Sequence, residues 1–295
     1  MIVVTAATGQ IGHALVEELL KQGQKVRALA RDAKKLAPLA QKGAETRVVD
    51  LTDGAAIAEA FRGASAVFLL IPPRYNAPDF RAYYNQVSRA YVDGVRAAGV
   101  KKVVNLSSLG AHLPDGTGPI KGLYDHEKRL DALESVDRLH LRPGYFMENA
   151  FFGLGLIKAQ GINGSPIAPN IKIPMIATRD IAQRAARALA AGDFRGREVM
   201  ELHGPRDLSL AEVTRALGAA IGKPDLPYVQ FPYPDAFNAM VNMGLSPDVA
   251  ALFNEMYKAF NEGTLKPTQP RSVETTTPTS IEEFAKSFAA VYGAQ

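Results

Sequence analysis

Between residues 2 and 141, short apolar runs alternate with segments of helical periodicity. Ile2 to Thr5, Lys25 to Ala30, Glu45 to Val49, Ala66 to Ile71, Lys102 to Leu106 and Arg138 to Leu141 read as six strands. Between them, apolar residues recur at three- and four-residue spacing, as in Ile11, Ala14, Leu15 and Leu19, or Phe80, Tyr84, Val87, Tyr91 and Val95. The run AVFLLI at 66–71 has no polar alternation, which suits a strand covered on both faces. Strands that alternate with helices in this way demand crossover connections. The expected fold is therefore α/β, a doubly wound parallel Rossmann sheet.

Punctuation supports the assignment. Gly23 and Gly99 stop the first and fourth helices, while Asp32 and Asp53 stand where N-caps belong. Past Pro143 the alternation decays into helical stretches at Asp180–Ala191, Leu210–Ala220, Pro247–Phe260 and Ser280–Tyr292, with one strand at Glu198–Leu202. Thr279 and Glu282 have capping-box spacing for the last of these helices. The expected organisation is a dinucleotide-binding domain over residues 1–150 and a smaller, partly interleaved C-terminal lobe over 151–295, placed above the strand ends.

Composition narrows the chemistry. Hydrophobic residues make up 47% of the 295, enough for a large buried core. Cysteine is absent, which removes disulfides, thiolate metal sites and cysteine nucleophiles, and is compatible with the expected cytoplasmic location. The five histidines have no metal-ligand spacing, so no metal is expected. The net charge of +4 is thinly spread, with no basic stripe for nucleic acid and no apolar stretch long enough for a membrane span. The expected partner is a small molecule, with a homodimer left open.

The first strand runs into TAATGQIG at 5–12, followed by an amphipathic helix. A nucleotide pyrophosphate needs open amides, a tight turn and the positive end of a helix. Thr8, Gly9, Gln10, Ile11 and Gly12 are placed to provide them, Gly9 by letting phosphate approach and Gly12 by letting the helix pack closely. Ala6 stands where a further glycine completes the pattern, adding one methyl at the turn. At the end of the second strand, Arg31 occupies the position that receives the 2′-phosphate of NADP(H), although NAD(H) is not excluded. Asp50 is either an acceptor for the adenine amino group or an ordinary turn aspartate.

Tyr124 and Lys128 form a Tyr-x-x-x-Lys pair, which shares a helix face and addresses one cleft. An ammonium beside a phenol favours the phenolate, and the lysine can also reach a nicotinamide ribose. Ser107, at the end of the fifth strand, is positioned to hydrogen-bond a substrate oxygen; His126 is a weaker proton-donor candidate. Tyr75, Phe146, Met147, Phe151 and Phe231 are candidate lining residues for an aromatic substrate.

The segments TAATGQIG, VRALARD, AAGVKKVVNLSSLGA, LRPGYFMEN and IATRDIA, spread over residues 1–190, resemble the NmrA-like branch of atypical short-chain dehydrogenases/reductases. The resemblance implies NADP(H) across the carboxyl ends of the strands, held by the glycine loop, Arg31 and the Pro72–Pro73 loop. Ser107 and the Pro143–Gly144 segment would flank the nicotinamide, and Lys128 matches the family lysine. Family members include quinone, azo-dye and triphenylmethane-dye reductases, so the expected activity is hydride transfer from NADPH to an electron-poor aromatic acceptor. Other members bind dinucleotide without turnover and act as redox-sensing regulators of transcription factors, which is the alternative reading.

Overall fold

Six apolar runs become strands β1 (Ile2–Val4), β2 (Val26–Ala30), β3 (Glu45–Val48), β4 (Ala66–Leu69), β5 (Lys102–Leu106) and β6 (Asp137–Pro143) in the computed structural model, which describes residues 1–294. Between them lie α1 (Gln10–Lys21), α2 (Ala33–Gln41), α3 (Gly54–Phe61), α4 (Phe80–Ala97) and α5 (Lys121–Asp131). The second half adds β7 (Tyr145–Phe146), α6 (Leu154–Gln160), β8 (Asn163–Ser165), β9 (Ile173–Ile176), α7 (Thr178–Ala191) and β10 (Arg197–Leu202). It continues with β11 (Asp207–Leu208), α8 (Leu210–Ala220), β12 (Tyr228–Gln230), α9 (Tyr233–Asn242), α10 (Pro247–Asn261) and α11 (Ile281–Ala294).

Seven strands form one sheet in the order β10-β6-β5-β4-β1-β2-β3, every neighbouring pair parallel. The chain moves outward from β1 to β3, then crosses back to β4 beside β1. A crevice therefore opens at the carboxyl ends of these two strands, where open α/β sheets bind ligands. One face of the sheet is sealed by Ile11, Leu15 and Leu19 of α1 together with Ile181, Ala185 and Leu189 of α7. The other is sealed by Ile57 and Phe61 of α3 with Val87, Tyr91 and Val95 of α4. Residues beyond 150 thus complete the large sheet and one of its helical layers. A third core, built from Met147, Ile157, Leu217, Phe260, Phe284 and Phe288, belongs to the smaller lobe.

Caps explain several boundaries. The Asp32 carboxylate accepts from the amides of Lys34 and Lys35, and that of Asp53 from Ala55 and Ala56. The capping box expected at Thr279 and Glu282 is not formed. Thr279 instead gives its amide (3.0 Å) and hydroxyl (2.7 Å) to Asp180, a buried carboxylate that needs donors. Ser280 caps α11 through the Glu283 amide, and Glu282 pairs with Arg206. A capping box does occur on α8, between Ser209 and Glu212.

The β10 edge of the sheet is closed by a side chain. The Gln269 carboxamide accepts from the Glu201 amide (2.9 Å) and donates to the Val199 carbonyl (2.9 Å), in place of a neighbouring strand. No helix among the described residues is long and apolar enough to cross a membrane.

Candidate active site

The loop after β1 is tied down before it turns. The Thr5 hydroxyl donates to the Phe68 carbonyl (3.0 Å) and accepts from the Leu70 amide (2.9 Å), joining the ends of β1 and β4. Ala6 then takes a left-handed conformation, φ +50°, which glycine adopts without cost and alanine does not. The turn forms nonetheless. Gly9 is the N-cap of α1, in extended conformation, and no side chain caps this helix. Its first-turn amides and positive dipole end face the crevice with no anion of the protein's own.

The two glycines have different reasons. A Cβ at Gly12 would lie 2.4 Å from the Ala6 carbonyl oxygen and 2.8 Å from the Ala7 Cα, so the helix packs directly on the loop backbone. A Cβ at Gly9 would meet nothing nearer than 3.5 Å; its openness serves whatever approaches from outside. Thr8 is half-buried, and Gly9 and Gln10 are exposed at this mouth. Ile11 is a core side chain that can offer only its amide. An uncapped N-terminus and a cradle that a single Cβ would fill fit a dinucleotide pyrophosphate.

Arg31 is exposed at the end of β2 and, among the described residues, has no acidic partner within ion-pair distance. Asp50 accepts the Thr52 amide (2.9 Å) and hydroxyl (2.8 Å) through one carboxylate oxygen, forming a turn. These bonds hold its carboxyl below the usual carboxylate range, with smaller contributions from Arg74 and Arg31. Pro72 is half-buried at the end of β4. Arg31 lines a cleft of about 900 Å³ together with Pro73, Arg74, Tyr75, Phe152 and Met243.

Tyr124, half-buried, and Lys128, exposed, share the accessible side of α5 and do not line that cleft. The Lys128 ammonium lies over the Tyr124 ring, 5.4 Å from its centroid. Ser107 corrects an expectation: it is 4% exposed and donates its hydroxyl to Glu127 (2.5 Å). Glu127 is in turn gripped by Arg142, whose Nε lies 2.9 Å away. This buried Ser107–Glu127–Arg142 group joins β5, α5 and β6, and no sequence pattern singled out its two charged members. His126 also departs from expectation. It faces α4, fully buried, with Nδ1 2.8 Å from the Ser88 hydroxyl. Burial, with His140 and Arg129 nearby, pushes its pKa down to about 3, so the ring is neutral near pH 7 and offers no imidazolium as proton donor. Pro143 ends β6, buried, and its carbonyl accepts the Leu109 amide (2.9 Å). Gly144 follows because a Cβ there would lie 2.2 Å from the Pro174 oxygen.

Of the candidate lining residues, Tyr75 borders the cleft. Met147, at 2% exposure, is core, and Phe151 packs on Phe284 and Phe288 inside the small lobe. Phe231 lies over Gly164, and Phe146 packs against the sheet core. The cleft wall is formed instead by Phe152, 72% exposed and edge-on to Tyr75, and by Met243, 69% exposed, in the turn between α9 and α10. Phe151 and Phe152 are adjacent in a tight helical turn, and only packing decides which faces inward.

A parallel sheet with a switch-point crevice, an uncapped glycine-bearing helix start and an arginine at the β2 end define a dinucleotide-binding Rossmann protein. The chain belongs to the NmrA-like family, whose profile matches residues 1–289. It is 32% identical over 299 residues to an NAD(P)H azoreductase of Xenophilus azovorans, covering all of both chains. It is 28% identical to quinone oxidoreductase 2 of Escherichia coli, over 90% of each. The structure of an E. coli NADPH-dependent quinone oxidoreductase complexed with NADPH superposes with a TM-score of 0.82 at 25% identity, covering 98% of this chain and 99% of that one. A triphenylmethane reductase of Citrobacter sp., complexed with NADP(H), shares the fold with a TM-score of 0.81 at 21% identity, over 98% of this chain and all of the other.

Proposed function

We propose that this chain, an NAD(P)H-dependent oxidoreductase, prefers NADPH and reduces electron-poor aromatic acceptors of the quinone or azo type. The observation that carries the reading is a single open cleft with an unpaired Arg31 along one part and an apolar wall of Tyr75, Phe152 and Met243 along another. The full-length similarity to an azoreductase and the near full-length similarity to a quinone oxidoreductase support the acceptor class.

The residues divide the work by position. The amides of Gly9 to Gly12 and the dipole of α1 hold the pyrophosphate, and Arg31 receives the 2′-phosphate. Asp50 keeps one carboxylate oxygen outside its turn for the adenine amino group. The nicotinamide, when bound, supplies a hydride. Lys128 would bind its ribose, and the Pro143–Gly144 segment would border the ring. Ser107, Glu127 and Arg142 fix α5, and with it Lys128, against the strand ends. The apolar wall of Tyr75, Phe152 and Met243 would pack against the acceptor. Two-electron reduction of a quinone or an azo group takes one hydride, which carries both electrons, and one proton, which comes from water or the Tyr124 hydroxyl. Such acceptors take hydride readily once aligned, so proximity supplies most of the acceleration.

The test is NADPH and NADH oxidation with menadione and an azo dye, wild type against Lys128→Ala. Loss of about 10²-fold in kcat/KM is expected from misplacing the cofactor's reactive end. Unchanged rates would remove Lys128 from the site. Tight NADPH binding with no turnover on any acceptor would favour the redox-sensing regulator instead.

A further inference from the structure

We propose that Arg74, on the loop between β4 and α4, is a second guanidinium for the cofactor's 2′-phosphate and sets the NADPH preference jointly with Arg31. The inference rests on the cofactor placement proposed above and adds a residue from a different part of the chain.

Arg74 is exposed and lines the same cleft as Arg31. Among the described residues neither has a carboxylate within ion-pair distance, although most arginines of this chain are paired. Both guanidinium charges act on the Asp50 carboxyl and on the Tyr83 hydroxyl, so the two heads serve one end of the cleft. Asp50 alone cannot neutralise two cations. A phosphate monoester, with a charge near −2 at neutral pH and three acceptor oxygens, can. Planar guanidinium groups match that geometry better than an ammonium would.

Arg74 is also held in advance. Its guanidinium carbon sits 4.7 Å from the centroid of the Tyr83 ring, a cation–π contact that restricts the head. Its carbonyl accepts the Ala77 amide (3.0 Å), closing the loop. The loop is then pinned by the start of α10. The Ser246 amide donates to the Tyr75 carbonyl (2.9 Å), the Ser246 hydroxyl to the Ala77 carbonyl (2.5 Å), and the Asp248 carboxylate accepts the Phe80 amide (2.9 Å). A cation fixed at both ends of its loop loses little freedom when an anion arrives.

The same pair of cations would also attract an anionic acceptor, and the experiment separates the two sources. Calorimetry with NADPH, NADH, adenosine 2′,5′-bisphosphate and adenosine 5′-monophosphate is run on full-length wild type, Arg31→Ala, Arg74→Ala and Arg74→Lys. Arg74→Ala should weaken NADPH and the bisphosphate by about tenfold or more, the worth of one charge-assisted hydrogen bond. NADH and the monophosphate should shift less than about twofold on the same scale, with Arg74→Lys intermediate. Equal losses for NADPH and NADH, or unaltered NADPH binding, overturn the role of Arg74. If Arg31→Ala still discriminates in that case, the cofactor placement stands without it; if neither variant discriminates, both fall. A raised KM for a sulfonated naphthoquinone but not for menadione, with NADPH affinity intact, assigns Arg74 to the acceptor and also overturns the proposal. Arg74 is exposed, and a thermal melt of each variant separates binding losses from unfolding.

Discussion

Gly9 and Gly12 stand three residues apart in one loop, yet the structure asks different things of them. The Gly12 position has no room for a methyl, since its nearest obstacles are backbone atoms that cannot swing away. Gly12→Ala should destabilise the fold by about 1–3 kcal/mol, the usual cost of overpacking, and weaken NADPH as well. Gly9→Ala should lower the melting temperature less than Gly12→Ala, by only the small cost of alanine at an N-cap, while weakening NADPH, because its methyl meets only the open face proposed for the phosphate. A melt and a binding isotherm on each variant check the contrast; equal destabilisation by both would contradict it. Ala6 is the converse case. Its left-handed conformation costs roughly 1–2 kcal/mol in an L-residue, against about 0.5–1 for the extra chain entropy of glycine. Ala6→Gly should therefore stabilise the protein slightly, by about 0.5–1 kcal/mol in denaturant titration. The glycine loop was readable from sequence because strand, turn and helix all leave local marks. Arg74 was not, because one arginine between a diproline and an aromatic carries no pattern; only its shared cleft with Arg31 gives it meaning.

At the scale of elements, β1 to β6 and their helices were legible because each is long enough to show its period and most have caps or glycine stops. Much of the small lobe was not. β7 and β11 are two residues each, β8 and β12 three, and α9 opens on Tyr-Pro, so none repeats an apolar spacing often enough to be recognised. The helix α5 was found, but its anchoring was not. Reading Tyr124 and Lys128 as its outward face implied an inward face without showing that a carboxylate sits there. Glu127 and Arg142 are 2% and 5% exposed, and removing one partner leaves the other charged and buried. Glu127→Ala should cost about 3–5 kcal/mol, whereas Glu127→Leu combined with Arg142→Met should recover much of that loss. Denaturant midpoints measure both. If the single substitution costs less than about 1 kcal/mol, the pair does not hold α5 in the sense of an uncompensated buried charge.

For the molecule as a whole, stability should depend on pH through histidines that the fold keeps neutral. Burial pushes His126 down to about 3 from its ordinary 6.5 and lowers His203 as well. Below about pH 6.5 the unfolded chain takes up protons that the folded chain refuses. Stability should therefore be level above that pH and fall as the pH drops toward 3, by at most about 1.4 kcal/mol per unit for each such histidine. Urea titrations at pH 7.5 and 5.0 should show a smaller drop for His126→Gln than for wild type; equal drops would mean that the buried imidazole is not the source. Asp131 adds to acid sensitivity only at lower pH. Burial opposes its ionisation, but bonds from His140, Arg138 and Arg197 outweigh this and hold the carboxyl well below the usual range.

The carboxamide of Gln269 occupies the ladder positions that another polypeptide would need beside Val199 and Glu201. Extending the sheet there with a foreign segment requires first peeling away the 268–269 stretch, which Glu201 also grips through the Thr268 and Gln269 amides. The chain thereby blunts its own exposed rim, a guard against edge-to-edge aggregation supplied by a single polar residue.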